Sequence, residues 1–196
     1  MRLLFILMAC AVLAGCAQSQ RSPRRAYQTI PTNPGRDADR ADRHNAQAVN
    51  FIEKGDLDKA EAALKRALAA DVSHGPAHNN LGTVHLQRGK YYLAAWEFQY
   101  ATKLMPTQPQ PRNNLGLLYE RVGRLDDAVA WYGKALDLEP DNPLFLGNSA
   151  RARIRRGDVG QEVRDLLTKL IEVDVRPEWV AWAQQQLLLT RPKQPK

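Results

Sequence analysis

The chain is poor in cysteine and in aromatic residues, and it has no apolar run long enough to cross a bilayer. Aromatic residues make up 7% of the 196 positions and runs of β-branched residues are few, which argues against an all-β fold. The longest apolar stretch, Leu3 to Leu13, falls short of the roughly 20 residues a spanning helix needs. There is no nucleophile elbow, no glycine-rich phosphate cradle, no zinc-protease helix and no carboxylate pair isolated in an apolar setting. No enzymatic activity, catalytic residue or cofactor is therefore expected.

What is present is the material for a helical core. Hydrophobic residues reach 44% and charged residues 25%, close to an average soluble globular composition. Alanine, leucine, glutamine, lysine and arginine are frequent, so local propensity favours helix almost everywhere. The length fits one domain or a short repeat array. The net charge of +7 lies mainly at the ends: residues 1–44 carry seven basic and three acidic groups, and residues 45–176 carry 18 and 17. A nearly neutral body lacks the gathered basic face of a nucleic-acid binder, so no nucleic-acid partner is expected.

The N-terminal apolar stretch follows Arg2 and ends in Leu13-Ala14-Gly15-Cys16. It reads as a secretory h-region, and the last four residues resemble the bacterial lipobox. The resemblance implies a signal peptide over 1–15, cleavage before Cys16 and lipidation of that thiol; the alternative is an ordinary signal peptide that happens to contain a cysteine. Cys10 would leave with the signal and Cys16 would become a thioether, so no thiol remains for a disulfide, nucleophile or metal. Ala17 after the cysteine implies, by the enteric sorting rule, the outer membrane facing the periplasm. Residues 16–40, interrupted by Pro23, Pro31 and Pro34, read as a flexible linker between lipid and body.

Compared with itself at a spacing of 34, the chain repeats. Asn79-Asn80-Leu81-Gly82 returns as Asn113-Asn114-Leu115-Gly116, and Gly89, Ala94, Phe98, Ala101 and Pro106 meet Gly123, Ala128, Tyr132, Ala135 and Pro140. This pattern resembles the tetratricopeptide repeat. The resemblance implies an all-α solenoid, a right-handed superhelix of helix-turn-helix units with boundaries 41–74, 75–108, 109–142 and 143–176. Small residues at Gly82 and Gly116 would let paired helices approach, with Ala94 and Ala128 expected across the contact. The fourth repeat reads as degenerate, because Glu162 and Lys169 replace its expected alanines. Residues 177–190 read as a capping helix using Trp179, Trp182, Leu187 and Leu189, the alternative being that the tryptophan pair binds a partner or lies in a membrane interface, and 191–196 as a disordered tail.

Of the four histidines, His74 and His78 have a spacing suited to a metal, but they straddle a turn and Pro76, and no four-ligand shell is completed. His85 occupies a position that usually packs an aromatic ring and reads as a core histidine bonded to backbone.

By the resemblance, positions five, six, nine, twelve and thirteen of each repeat face a concave groove. Asn80, Asn114 and Asn148 recur at the sixth position, and Asn45, Asn79 and Asn113 at the fifth. Such a ladder of amides either holds an extended peptide backbone or bonds the neighbouring helix, and both readings stand at this level. Val49, Thr83 and Leu117 would form the floor, with Arg121, Arg151 and Arg155 making one end positive, suited to an acidic or C-terminal carboxylate. Alternatively the arginines 151, 153, 155 and 156 form a solvated face.

The expected function is a non-enzymatic adaptor, attached to the membrane through lipid on Cys16, that binds a segment of another envelope protein. It resembles lipid-anchored repeat proteins of pilus and secretin assembly. The competing readings are a structural or self-associating envelope spacer and, last, a histidine-dependent enzyme or metal carrier.

Overall fold

The structure, a computed structural model, describes residues 36–190. The expected lipidation site Cys16, the signal segment, most of the linker and the tail lie outside the described residues. Within them the chain forms α1 (Ala38–Glu53), α2 (Leu57–Ala70), α3 (Gly75–Gln87), α4 (Tyr91–Leu104), α5 (Gln110–Arg121), α6 (Leu125–Leu136), α7 (Pro143–Arg156), α8 (Gln161–Val173) and α9 (Pro177–Leu189). No helix of the described residues is long and apolar enough to cross a membrane.

The boundaries follow from local chemistry. Asp37, Asp56 and Asn142 cap helix N-termini through side-chain oxygens, satisfying amides that have no intrahelical partner. The turn inside each pair carries a glycine in the left-handed region, with φ of 73°, 70°, 79° and 98° at Gly55, Gly89, Gly123 and Gly157, a conformation that costs glycine nothing. Pro143 and Pro177 occupy first-turn positions, where the missing N–H is no loss.

Helices pack in sequence, pair against pair, and each odd-numbered helix from α1 to α7 also touches the next odd-numbered one. The odd helices therefore form the inner, concave wall and the even helices the outer one. Alanines 41, 48, 60, 67, 94, 101, 128 and 135 are completely buried, so the helices approach closely.

The partners of the close-approach glycines differ from the expected alanines. A Cβ on Gly82 would lie 2.7 Å from the Phe98 ring, and one on Gly116 would lie 2.5 Å from Tyr132. Each ring thus fills the space left by the missing side chain. In the first repeat Ala48 stands at this position and Leu64, smaller than a ring, in the same buried cluster.

The fourth repeat has a full apolar seam. Its buried residues in α8 are Val163, Leu167 and Leu170, one place beyond the 34-residue register. The turn after Gly157 runs to Gly160 before α8 begins, and the longer connection rotates the helix so that Glu162 and Lys169 face outward. Glu162 then pairs with Arg153 and Lys169 with Asp141. The capping helix places Trp179, Trp182 and Leu187 on this seam, with Ala183 fully buried. Leu189, expected there too, is 70% exposed, because it falls on the outer side of the last turn.

Candidate functional site on the inner wall

The amides at the fifth and sixth positions bond to one another along the inner wall. Asn80 Nδ2 donates to Asn45 Oδ1 at 2.8 Å, Asn114 Nδ2 to Asn79 Oδ1 at 2.9 Å, and Asn148 Nδ2 to Asn113 Oδ1 at 2.9 Å. Each rung joins one odd helix to the next. Asn80 and Asn114 are half-buried and keep a second N–H and their carbonyl oxygens. Asn113 and Asn148 are buried, and Asn148 Oδ1 also accepts from Arg151 Nη2 at 3.0 Å, so this last rung belongs to the fold. Thr83 is half-buried and its hydroxyl donates to the Asn79 carbonyl at 3.1 Å, while Val49 stays partly exposed at the α1 end.

The ladder stops at Gly147, which occupies the fifth position of the fourth repeat. A Cβ there would lie 2.8 Å from the Trp179 ring. Trp182 occupies the sixth position of the cap, so neither the acceptor nor the donor of a fourth rung exists.

The predicted arginine cluster is organised around a residue that the sequence reading did not single out. Glu120 is 4% exposed. Its Oε1 accepts from Arg151 Nε at 3.0 Å and Arg155 Nη1 at 2.7 Å, and its Oε2 accepts from Arg151 Nη2 at 3.0 Å and the Tyr132 hydroxyl at 2.9 Å. Burial alone would raise the Glu120 carboxyl. The hydrogen bonds from Arg151 and Arg155, the Arg151 charge and the tyrosine hydroxyl outweigh it and hold the group below its ordinary value. Burial and the Glu120 charge in turn keep the Tyr132 phenol protonated. Arg153 pairs with Asp158 and Glu162, and Arg156 with Asp126 and Asp158, so these two form no free positive surface. Glu120 stands at the twelfth position, already among those expected to face the groove, and an acid one repeat before two arginines at groove positions was the available signal.

A recess of about 580 Å³ opens over this network. Its accessible wall is made by Asn114, Leu117, Arg121, Leu144, Arg155 and Trp179, with Asn113, Glu120, Asn148 and Arg151 beneath. Arg121 is exposed, and Leu144 is 44% exposed. The structure thus brings Asn113, Asn114, Leu117, Arg121, Asn148, Arg151 and Arg155 into one site. Asn79 and Asn80 instead border a separate recess of about 530 Å³ beside Met105 and Pro111, and Thr83 lines neither. Leu144 was missed because it comes from a helix start, and Trp179, singled out in the capping helix, was not assigned to the groove.

The histidines are directed apart. His74 Nδ1 accepts from the Ala77 amide at 3.0 Å, capping α3, and Nε2 faces Asp42 Oδ1 at 2.8 Å. His78 Nδ1 faces Glu97 Oε2 at 2.6 Å, and its Nε2 faces the Val72 carbonyl at 2.9 Å. Acceptors on both nitrogens favour the imidazolium and, against the effect of burial, raise the pKa of the ring. His85 is buried as expected, but its Nδ1 has no partner in place of the anticipated backbone bond, and burial lowers its pKa. Among the described residues no three histidine, aspartate, glutamate or cysteine side chains are grouped to hold a metal.

Comparison with known proteins adds the family. Tetratricopeptide repeat models match residues 45–109 and 109–142, and together they cover half the chain. Anaphase-promoting complex subunit 3 of Schizosaccharomyces pombe is 24% identical over 73% of this chain, which spans 22% of that protein. Photosystem I assembly protein Ycf3 of Prochlorococcus marinus is 28% identical over 43% of this chain and 54% of its own length. The chain thus spans well under two thirds of these relatives. Among solved structures, a tetratricopeptide repeat protein of Parabacteroides merdae superposes with a TM-score of 0.65 at 22% identity, covering 78% of this chain and 60% of that one. PilF of Pseudomonas aeruginosa gives 0.64 at 20% identity, covering 76% and 72%. The first repeat domain of Spaghetti (RPAP3), bound to the HSP90 peptide SRMEEVD, gives 0.58 at 17% identity, covering 62% and 97%. At these identities the likenesses show the fold.

Proposed function

Because the chain belongs to the tetratricopeptide repeat family, a family of protein-interaction scaffolds, we propose that it is a non-enzymatic adaptor of the bacterial envelope. It is anchored by lipid on Cys16 and holds a segment of another envelope protein on its inner wall. The observation that carries this reading is the recess over Glu120. Arg121 and Arg155 supply cations, Leu144 and Trp179 supply apolar contact, and Asn114 supplies a free amide N–H within one concavity. Two guanidiniums share one carboxylate there, so the site keeps positive charge beyond what Glu120 neutralises. That chemistry suits an extended segment with an acidic side chain or a C-terminal carboxylate. The repeat domain bound to the acidic peptide SRMEEVD is a precedent for the fold carrying such a ligand.

The anchor rests on Leu13-Ala14-Gly15-Cys16 and the preceding Arg2, and the outer-membrane address on Ala17. A role in pilus or secretin assembly is the narrower form of the same reading. A photo-crosslinking residue placed at Leu144 in intact cells tests the groove. The expected product is one envelope protein, lost when Arg121→Glu is added while helicity and abundance are unchanged. Crosslinks that ignore Arg121→Glu would sink the groove reading. Cys16→Ser tests the anchor separately and is expected to release the chain from the membrane fraction.

A further inference from the structure

The outer wall carries a surface that the repeat architecture does not require. At the register positions where α2 and α6 place Asp58 and Asp126, α4 has Tyr92, and where they place Lys59 and Asp127 it has Leu93. Where they place Ala62 and Ala130 it has Trp96. Neighbouring repeats thus build the same helix with charge or alanine, so the repeat itself does not require three large side chains in α4. Tyr92 is 83% exposed and Trp96 53%. Isolated apolar residues on a surface are ordinary, but a cluster is not.

The cluster is shaped. Tyr91, Tyr92, Trp96 and Gln99 of α4, with Tyr119 and Arg124 from the α5–α6 corner, line a recess of about 350 Å³. Trp96 is held in position by stacking on Tyr100, with centroids 5.5 Å apart and planes 15° apart, and the Tyr100 ring meets His78 edge-on at 4.6 Å. Arg124 lies 4.8 Å from the Tyr119 centroid and is fixed by Asp127 at 2.6 Å.

Every polar side chain of the recess can donate: the Trp96 indole N–H and the Arg124 guanidinium only donate, and the three tyrosine hydroxyls and the Gln99 amide donate as well as accept. No carboxylate lines it. A ligand that offers carbonyl acceptors together with apolar ridges that seat between the rings matches this lining. A proline-rich segment does both, because its residues have no N–H, keep their carbonyls exposed and hold a preformed extended helix. We propose that the outer face of α4 is a second docking site, for a proline-rich segment of a partner protein. The site is independent of the inner-wall recess and would make the chain a two-sided adaptor.

The test is fluorescence anisotropy of a labelled decaproline peptide with the full chain, against a glycine-serine peptide of equal length. Saturable binding of the proline peptide alone is expected, weakened about tenfold or more by Trp96→Ala and unchanged by Leu144→Glu on the inner wall. Tyr92→Asp, which installs the residue of the first and third repeats, is the second variant if Trp96→Ala fails to fold, and it carries the same expectation. Equal binding of both peptides, or proline binding that neither variant weakens, would overturn the proposal. A natural chain that sediments as a dimer and becomes monomeric in Trp96→Ala would assign the face to a second copy and overturn it as well.

Discussion

Asn148 donates its side-chain N–H to Asn113 across 2.9 Å and 35 positions of sequence, and both side chains are buried. A buried amide deprived of its partner bears the full cost of desolvation. Asn148→Ala is therefore expected to lower stability by about 1–3 kcal/mol. Asn80→Ala, at a half-buried rung open to water, should cost less. Urea unfolding of the two variants measures the difference, and equal losses would show that the last rung has no special structural role.

Glu120→Gln removes a charge that two arginines and a tyrosine converge on. Arg151 and Arg155 keep part of their surface in water, so the loss is expected near about 1–3 kcal/mol, below that of a fully buried pair. Because the folded carboxyl is held below its ordinary value, its contribution is present above about pH 4.3, the unfolded value, and vanishes as pH falls through the lower folded value. The stability gap between natural chain and variant should stay constant from neutral pH to about 5 and close below about 4. A gap that persists in acid would contradict the assignment.

His78 has the opposite sign. Burial lowers its pKa, but the bonds to Glu97 and the Val72 carbonyl and the charges of Glu97 and Asp71 outweigh it and raise the net value. The pair's contribution is therefore complete below about pH 6.5, the unfolded value, and is lost as pH rises through the raised folded value. Thermal melts between pH 6 and 9 should show a decline that Glu97→Gln reduces, because the Val72 carbonyl and the Asp71 charge remain, while the Trp96 and Tyr100 rings around the histidine are unaltered.

The glycines of α5 and α6 give a paired test. Gly116→Ala drives a methyl into the Tyr132 ring and is expected to cost about 1–3 kcal/mol. Gly133→Ala meets nothing within 4 Å in the helix interior and should stabilise by about 0.5–1 kcal/mol. Thermal or urea unfolding should give shifts of opposite sign.

The register of the fourth repeat is testable in the same way. Leu167→Ala is expected to cost about 2–5 kcal/mol, whereas Glu162→Ala loses only a pair whose acid is 68% exposed and should stay within about 1 kcal/mol. The reverse order would restore the simple 34-residue register.

The sequence by itself determined the repeat length, the turn glycines, the helix-starting prolines and the neutral body, because each depends on local backbone conformation or on a period that one chain displays. It also located the positions of the inner wall. What it left open was how neighbouring helices use those positions. Whether Asn114 serves a ligand or a neighbour depends on the distance to Asn79 in another repeat, and whether Arg151 is free depends on Glu120 one repeat earlier. The rotation of α8 follows from a longer turn whose effect on register appears only when the helix is packed. Such contacts join residues about one repeat apart, and their geometry is set by the close approach of alanine-lined helices. Only the tertiary structure could therefore decide which polar groups were committed to the fold and which remained on its surface.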